Sequence, residues 1–167
     1  MANTQDNLKA AFAGESQANR RYLFSAERAE QEGKPMIARL FRAVAEAETV
    51  HARNHLQTLG EIKDTKANIE SAISGESYEF NKMYPEFIKQ AESEGAKRAQ
   101  MTFGFANEVE KVHYGLYTRA LEAFTSGKDL ADKPYFVCGV CGMTVEGEAP
   151  DKCPVCGAPK ARFREVR

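Results

Sequence analysis

Two stretches of this chain repeat one another, and both carry groups that bind metal ions. Phe41 to His51 reads F-R-A-V-A-E-A-E-T-V-H, and Phe103 to His113 reads F-G-F-A-N-E-V-E-K-V-H. The shared Phe, Glu, Val and His residues recur at an offset of 62 (41 to 103, 48 to 110, 51 to 113). A glutamate followed three residues later by a histidine puts both side chains on one helical face, about one turn apart. One such pair is common on wet helix faces. Two at a constant offset predict a pair of related helix hairpins, each turning a carboxylate and an imidazole toward a shared point. Gly-Glu-Ser at 14–16 recurs at 75–77, an offset of 61, while Tyr22 and Tyr84 return to 62. One residue has therefore been gained or lost just after the shared glutamate. Glu79 has no counterpart in the first half. The candidate ligands are Glu15, Glu48, His51, Glu76, Glu79, Glu110 and His113.

Burying so many unpaired carboxylates would cost several kcal/mol apiece, so they take up protons, point outward or hold cations among them. The apolar flanks make the outward reading poor for Glu15, Glu48, Glu76 and Glu110 but leave it open for Glu79, at the stripe's edge. Five oxygen-donor residues with two imidazoles suit two borderline-hard transition ions; magnesium or calcium would favour oxygen alone. Iron is preferred and manganese is second. One Glu from each of two helices, with Glu-x-x-His from each of the other two, is the ligand pattern of ferritin-like di-iron bundles. Tyr22 and Tyr84 lie about two turns beyond Glu15 and Glu76, as hydrogen-bond partners of the ligands or as core tyrosines. The four cysteines form a second cluster: Cys138-Gly-Val-Cys141-Gly and Cys153-Pro-Val-Cys156-Gly. Two C-x-x-C-G knuckles bind one tetrahedral ion through four thiolates, and both zinc and iron accept that geometry. Beside a redox di-metal site, a one-electron iron carrier is the better fit, with zinc as a possible substitute.

The elements that position these groups are helices. The first opens at Asn3 or Thr4 and stops at Gly33-Lys34-Pro35, with Leu8, Ala11, Phe12, Glu15, Tyr22, Ala26 and Ala29 at helical spacing. The second opens at Pro35 and closes near Gly60, on the stripe Ile37, Leu40, Phe41, Val44, Glu48, His51. A third spans about 65–95 with a kink at Pro85. A fourth runs from about Ala96 to Ser126, with Phe103, Ala106, Glu110, His113, Tyr117 and Phe124 inward. A polar linker follows. The remaining tail is too small for a core of its own without a metal or disulfide. The expected fold class is an all-α four-helix ferritin-like bundle (residues 1–130) with a small C-terminal metal-binding domain (131–167).

The totals exclude several classes. A net charge of −1 over 167 residues leaves no footprint for nucleic acid or an anionic membrane surface. No apolar run approaches the roughly 20 residues that span a bilayer. The first residues lack the pattern of a secretory signal, and the clustered cysteines argue for a metal rather than a disulfide framework. The expectation is a cytoplasmic protein.

With both clusters in view, the chain resembles the rubrerythrins. Phe-Ala-Gly-Glu15-Ser-Gln-Ala, Glu48-Thr-Val-His51, Glu76-Ser-Tyr-Glu79 with Met83-Tyr84-Pro85, and Glu110-Lys-Val-His113 match that family's ligand motifs in order, and Tyr135 onward resembles its rubredoxin-like domain. The resemblance implies a non-haem di-iron peroxidase that reduces hydrogen peroxide to water in oxidative-stress defence. Electrons would arrive through a rubredoxin-type Fe(Cys)4 centre from an upstream donor, a rubredoxin or an NAD(P)H-dependent reductase. By position, Glu48 and Glu110 would bridge the irons, Glu15 would bind the first, and Glu76 with His113 the second. The first iron would take Glu79 when oxidised and His51 when reduced, which makes these two the catalytic candidates. Met143 departs from the family pattern, standing where rubredoxins usually carry an aromatic residue.

A geometric departure concerns assembly. A ferritin-like bundle runs its second and third helices parallel, which needs a long crossover. Only about five residues follow Gly60 before the third helix, spanning at most about 18 Å, whereas a 25-residue helix is about 38 Å long. The expectation is domain swapping in a homodimer or higher oligomer, with helices one and two of one chain packing on helices three and four of another. The alternatives are a ferroxidase or iron-buffering protein, which has no need of the thiolate tail, and a non-enzymatic adaptor with a zinc ribbon.

Overall fold

The computed structural model describes residues 3–166 and divides into two compact units that meet between Lys63 and Asp64. The first unit is a helical hairpin. Helix α1 (Thr4–Gln31) starts at Asn3, whose side chain accepts from the Asp6 N–H while Asp6 reaches back to the Asn3 N–H. That reciprocal cap satisfies two of the donors a helix start leaves orphaned. Helix α2 (Pro35–Thr58) begins with proline in its first turn, where no N–H is missed. The turn between them needs a left-handed residue, and Gly33 supplies it at φ 70°.

The seam of this hairpin is made of alanines. Ala26, Ala29, Ala38 and Ala45 are buried, with Phe41 against the cluster and Tyr22 beside Phe41 at 6.1 Å between ring centroids. Asn19, also buried, donates to the Ala45 carbonyl at 2.7 Å and to Thr49 Oγ1 at 2.9 Å. Ile37, Leu40 and Val44, expected to face inward, lie exposed instead. The reason is geometric: two helices bury only the face they share, and here the small residues occupy it.

The second unit begins with helix α3 (Thr65–Tyr78), capped by Asp64, followed without a break by one π turn (Glu79–Met83) and helix α4 (Tyr84–Ser93). The expected kink at Pro85 is thus a π turn: the Tyr84 N–H donates to the Glu79 carbonyl, five residues back. Pro85 then falls in the first turn of α4, where its missing donor costs little. Helix α5 (Lys97–Thr125) returns along α3 and α4, with Tyr84, Phe87 and Phe103 stacked between them. A three-stranded antiparallel sheet follows, in the order β2 (Thr144–Glu146), β1 (Tyr135–Cys138), β3 (Phe163–Val166). Among the described residues, no helix is long and apolar enough to cross a membrane.

The sheet is anchored to α5. Val109, Met143, Cys138 and Cys153 form one buried cluster, with Val112 and Val145 packed on it. Arg119 extends the seam with an ion pair to Glu146 at 3.3 Å. Met143, the departure from the rubredoxin pattern, is therefore the side chain that buries the sheet against Val109.

Candidate metal centres

Each unit assembles one carboxylate–imidazole triad. In the first unit, His51 Nδ1 lies 2.9 Å from Glu48 Oε2 and 3.8 Å from Glu15 Oε1. In the second, His113 Nδ1 lies 2.7 Å from Glu110 Oε2 and 3.8 Å from Glu76 Oε2. The repeat seen in the sequence is thus a repeat of geometry: a Glu-x-x-His pair on one helix, and a third donor from the helix antiparallel to it. The ligand atoms of each triad all lie within 4.8 Å of one another. The two triads differ in cover. The His51 side chain is 53% exposed and that of His113 is 26% exposed, while Glu48 and Glu110 are 14% each. The first triad, taken within its own unit, is wetter than the apolar stripe predicted.

Electrostatics argue that the second triad awaits a cation. Burial raises the Glu76 carboxyl, and the neighbouring Glu110 raises it further, to about 7. Glu79 stands outside the close triad, but its carboxyl is also raised, by burial and then by Glu110, with His113 pulling the other way. The Tyr84 phenol is pushed up by burial and by the three glutamates around it. A cluster that resists ionisation at neutral pH gains most from a positive ion, and hard oxygen with imidazole is the donor set that iron accepts. The π turn explains Glu79. It accommodates the one residue by which the second hairpin exceeds the first, and it sets Glu79 within the field of His113.

The four cysteines converge as well. Cys138 and Cys156 sulfurs are 3.7 Å apart, and Cys141 and Cys153 sulfurs 3.5 Å apart. A regular tetrahedron with metal–sulfur bonds of about 2.3 Å has edges of about 3.8 Å, whereas a disulfide would need about 2.05 Å. The two knuckles repeat at an offset of 15. Cys138 donates to the Met143 carbonyl as Cys153 does to that of Ala158, and Gly142 donates to Cys138 as Gly157 does to Cys153. Gly142 and Gly157 sit at φ 85° and 73°, so the chain turns back beneath the sulfurs. The next N–H groups, of Met143 and Ala158, then donate to Cys141 and Cys156. Burial raises the Cys141 thiol. At Cys153 burial is the largest influence and acts in the same sense, but the N–H groups of Cys156 and Val155, with the Cys141 and Cys156 thiols, together outweigh it and bring the thiol down to about 7.

Sequence reasoning missed two contacts in this region. Asn19 recurs as Asn81 at the repeat offset of 62, a signal that could have marked it. Thr144 is more consequential: its Oγ1 lies 3.0 Å from His113 Nε2 and donates to the Gly142 carbonyl at 3.0 Å.

Comparison with known proteins agrees with this arrangement. The rubrerythrin family model matches residues 6–121, and the model for the rubrerythrin rubredoxin-like domain matches residues 136–164. Rubrerythrin-2 of Clostridium acetobutylicum is 37% identical over 177 residues, covering 98% of this chain and 96% of that protein. Nigerythrin of Nitratidesulfovibrio vulgaris is also 37% identical, over 98% of this chain and 86% of its own length. A solved structure of nigerythrin in a mixed-valence state aligns with a TM-score of 0.58 at 34% identity, covering 99% of this chain and 88% of that one. With paired Glu/His triads, a four-cysteine rubredoxin-like site and these relatives along its whole length, the chain belongs to the rubrerythrin family.

Proposed function

We propose that this chain is a peroxidase that reduces hydrogen peroxide to water, H2O2 + 2 e⁻ + 2 H⁺ → 2 H2O, as a defence against oxidative stress. The observation that supports this best is the docking of the four-thiolate site on α5, the helix that carries Glu110 and His113. A one-electron carrier seated on a ligand helix suits a reaction that consumes electrons, and storage of iron would not require it. Two iron ions, when bound, supply the redox capacity. Glu15, Glu48 and His51 of one subunit, with Glu76, Glu79, Glu110 and His113 of its partner, would hold them. Glu48 and Glu110 would serve both ions, Glu15 the first, Glu76 and His113 the second, and Glu79 and His51 would alternate on the first. Relatives bear on the metal, since another nigerythrin structure is described as fully reduced and all ferrous. The Glu79 carboxyl is raised above its ordinary range by burial and by Glu110.

Assembly follows from the link between the hairpins. Helix α2 ends at Thr58 and α3 begins at Thr65, which leaves Leu59 to Asp64 between them. Six residues reach about 21 Å at most, short of the roughly 36 Å length of α2. In this reading a partner chain completes each bundle, so that the triad of one subunit meets the other triad of its partner. The exposed Ile37, Leu40 and Val44 are then the surface the partner covers. The domains are a swapped bundle over 1–130 and a rubredoxin-like domain over 131–167. The setting is the cytoplasm, in a homodimer or higher homo-oligomer, and the electrons come from a rubredoxin or a separate NAD(P)H-linked reductase.

An anaerobic titration tests this reading. Reduced, iron-loaded protein should lose its bleached state on peroxide addition, with one peroxide consumed per two electrons and the red colour of a ferric four-thiolate centre restored. Iron uptake without peroxide turnover would replace this reading with iron buffering. A colourless tail holding zinc in protein grown on iron would replace it with an adaptor.

A further inference from the structure

The second triad lies in the unit that also carries the sheet. His113 engages through both nitrogens: Nδ1 faces Glu110 and Glu76, and Nε2 meets Thr144 Oγ1 at 3.0 Å. Thr144 is the first residue of β2 and belongs to the four-cysteine domain. Its hydroxyl proton is committed to the Gly142 carbonyl at 3.0 Å, which leaves only lone pairs toward the histidine. With the imidazole proton on Nε2, donated to Thr144 Oγ1, the Nδ1 lone pair is left for a cation shared with the Glu110 and Glu76 carboxylates. The carbonyl that accepts from Thr144 belongs to Gly142, in a left-handed turn at φ 85°. Gly142 follows the ligand Cys141, and a Cβ placed on it would lie 3.9 Å from the Val109 side chain on α5.

We propose that Thr144 is a positioning residue for His113: the four-cysteine domain lends a hydroxyl that holds this histidine in ligating orientation. This inference rests on the reading of His113 as a metal ligand.

The test uses the full-length chain with zinc in both kinds of site, histidine-labelled for ring ¹⁵N–¹H spectra, comparing wild type with T144S, T144V and T144A. In wild type, His113 should show a metal-shifted Nδ1 and a hydrogen-bonded, downfield Nε2–H. T144V and T144A should lose the downfield proton at His113 while His51 stays unchanged, and T144S should restore it. Chelator competition should show metal held at the triad roughly 10- to 100-fold less tightly in T144V, and within a few-fold of wild type in T144S. Zinc retained by the four cysteines checks that the sheet domain survives, and T144A serves if valine disrupts it. Identical Nε2–H signals and metal retention in wild type, T144V and T144A would overturn the proposal. Absence of any metal-induced shift at His113 Nδ1 in wild type would instead remove the ligand assignment beneath it.

Discussion

Replacing Glu76 by glutamine should stabilise the metal-free protein and weaken the metal-bound one, and pH should separate the two effects. The Glu76 carboxyl is raised from 4.5 to about 7, by burial first and then by Glu110. Such a group favours the folded state when protonated, so the sign is the reverse of an ordinary salt-bridged acid. No penalty exists below about pH 4.5. It grows as pH rises through the interval and is complete above about 7. A shift of this size corresponds to about 3 kcal/mol at full value, and solvent screening at a partly open site reduces it to about 1–2 kcal/mol. E76Q lacks the penalty, so the apo variant at pH 8 should melt about 2–6 °C above wild type. At pH 4.5 the two should coincide. With ferrous or zinc ions added at pH 8 the order should invert, because the variant has lost a charged ligand. Circular dichroism melts at both pH values, with and without metal, supply the measurement. An apo variant no more stable than wild type at pH 8, or equally stabilised at both pH values, would refute the electrostatic account of this site.

Three further outcomes test the packing. Met143→Ala should open a cavity against Val109 and cost about 2–4 kcal/mol, read as faster amide exchange in α5 around Val109 and in β2. Asn19→Ala should remove both bonds that tie α1 to Ala45 and Thr49, lowering the urea midpoint of the first hairpin by about 1–3 kcal/mol of stability. Stripping metal from the four cysteines should unfold the sheet domain while the helical signal persists, because so small a core depends on its ion; near-ultraviolet and far-ultraviolet circular dichroism distinguish the two.

Much of this architecture was legible because the duplication marks it twice. Gly33 and Gly95 both adopt positive φ at the hairpin turns, and Gly60 and Gly127 do so at the hairpin ends. The ligand sets were legible for the same reason, since a carboxylate and an imidazole one turn apart must share a face. What was not legible depends on partners that periodicity does not name. Val109 and Val112 recur at helical spacing like any apolar pair, and nothing in that spacing says that a sheet covers them. Val50, the repeat partner of Val112, lies exposed, so equivalent residues meet different surroundings. Thr144 was invisible because a hydroxyl in a short strand carries no signal until its neighbour is known. The expected kink at Pro85 failed for a subtler reason: the shift in repeat offset announced an extra residue without saying how a helix would house it.

That housing bears on how such a chain diversifies. An added residue in a regular helix turns everything beyond it by about 100° and would send the following side chains to the wrong side. Here the widened turn from Glu79 to Met83 confines the disturbance, and Tyr84 resumes the alignment of its twin, Tyr22. One copy of an ancestral hairpin could thus acquire a new acidic side chain at a single locus, while every older position kept its bearing.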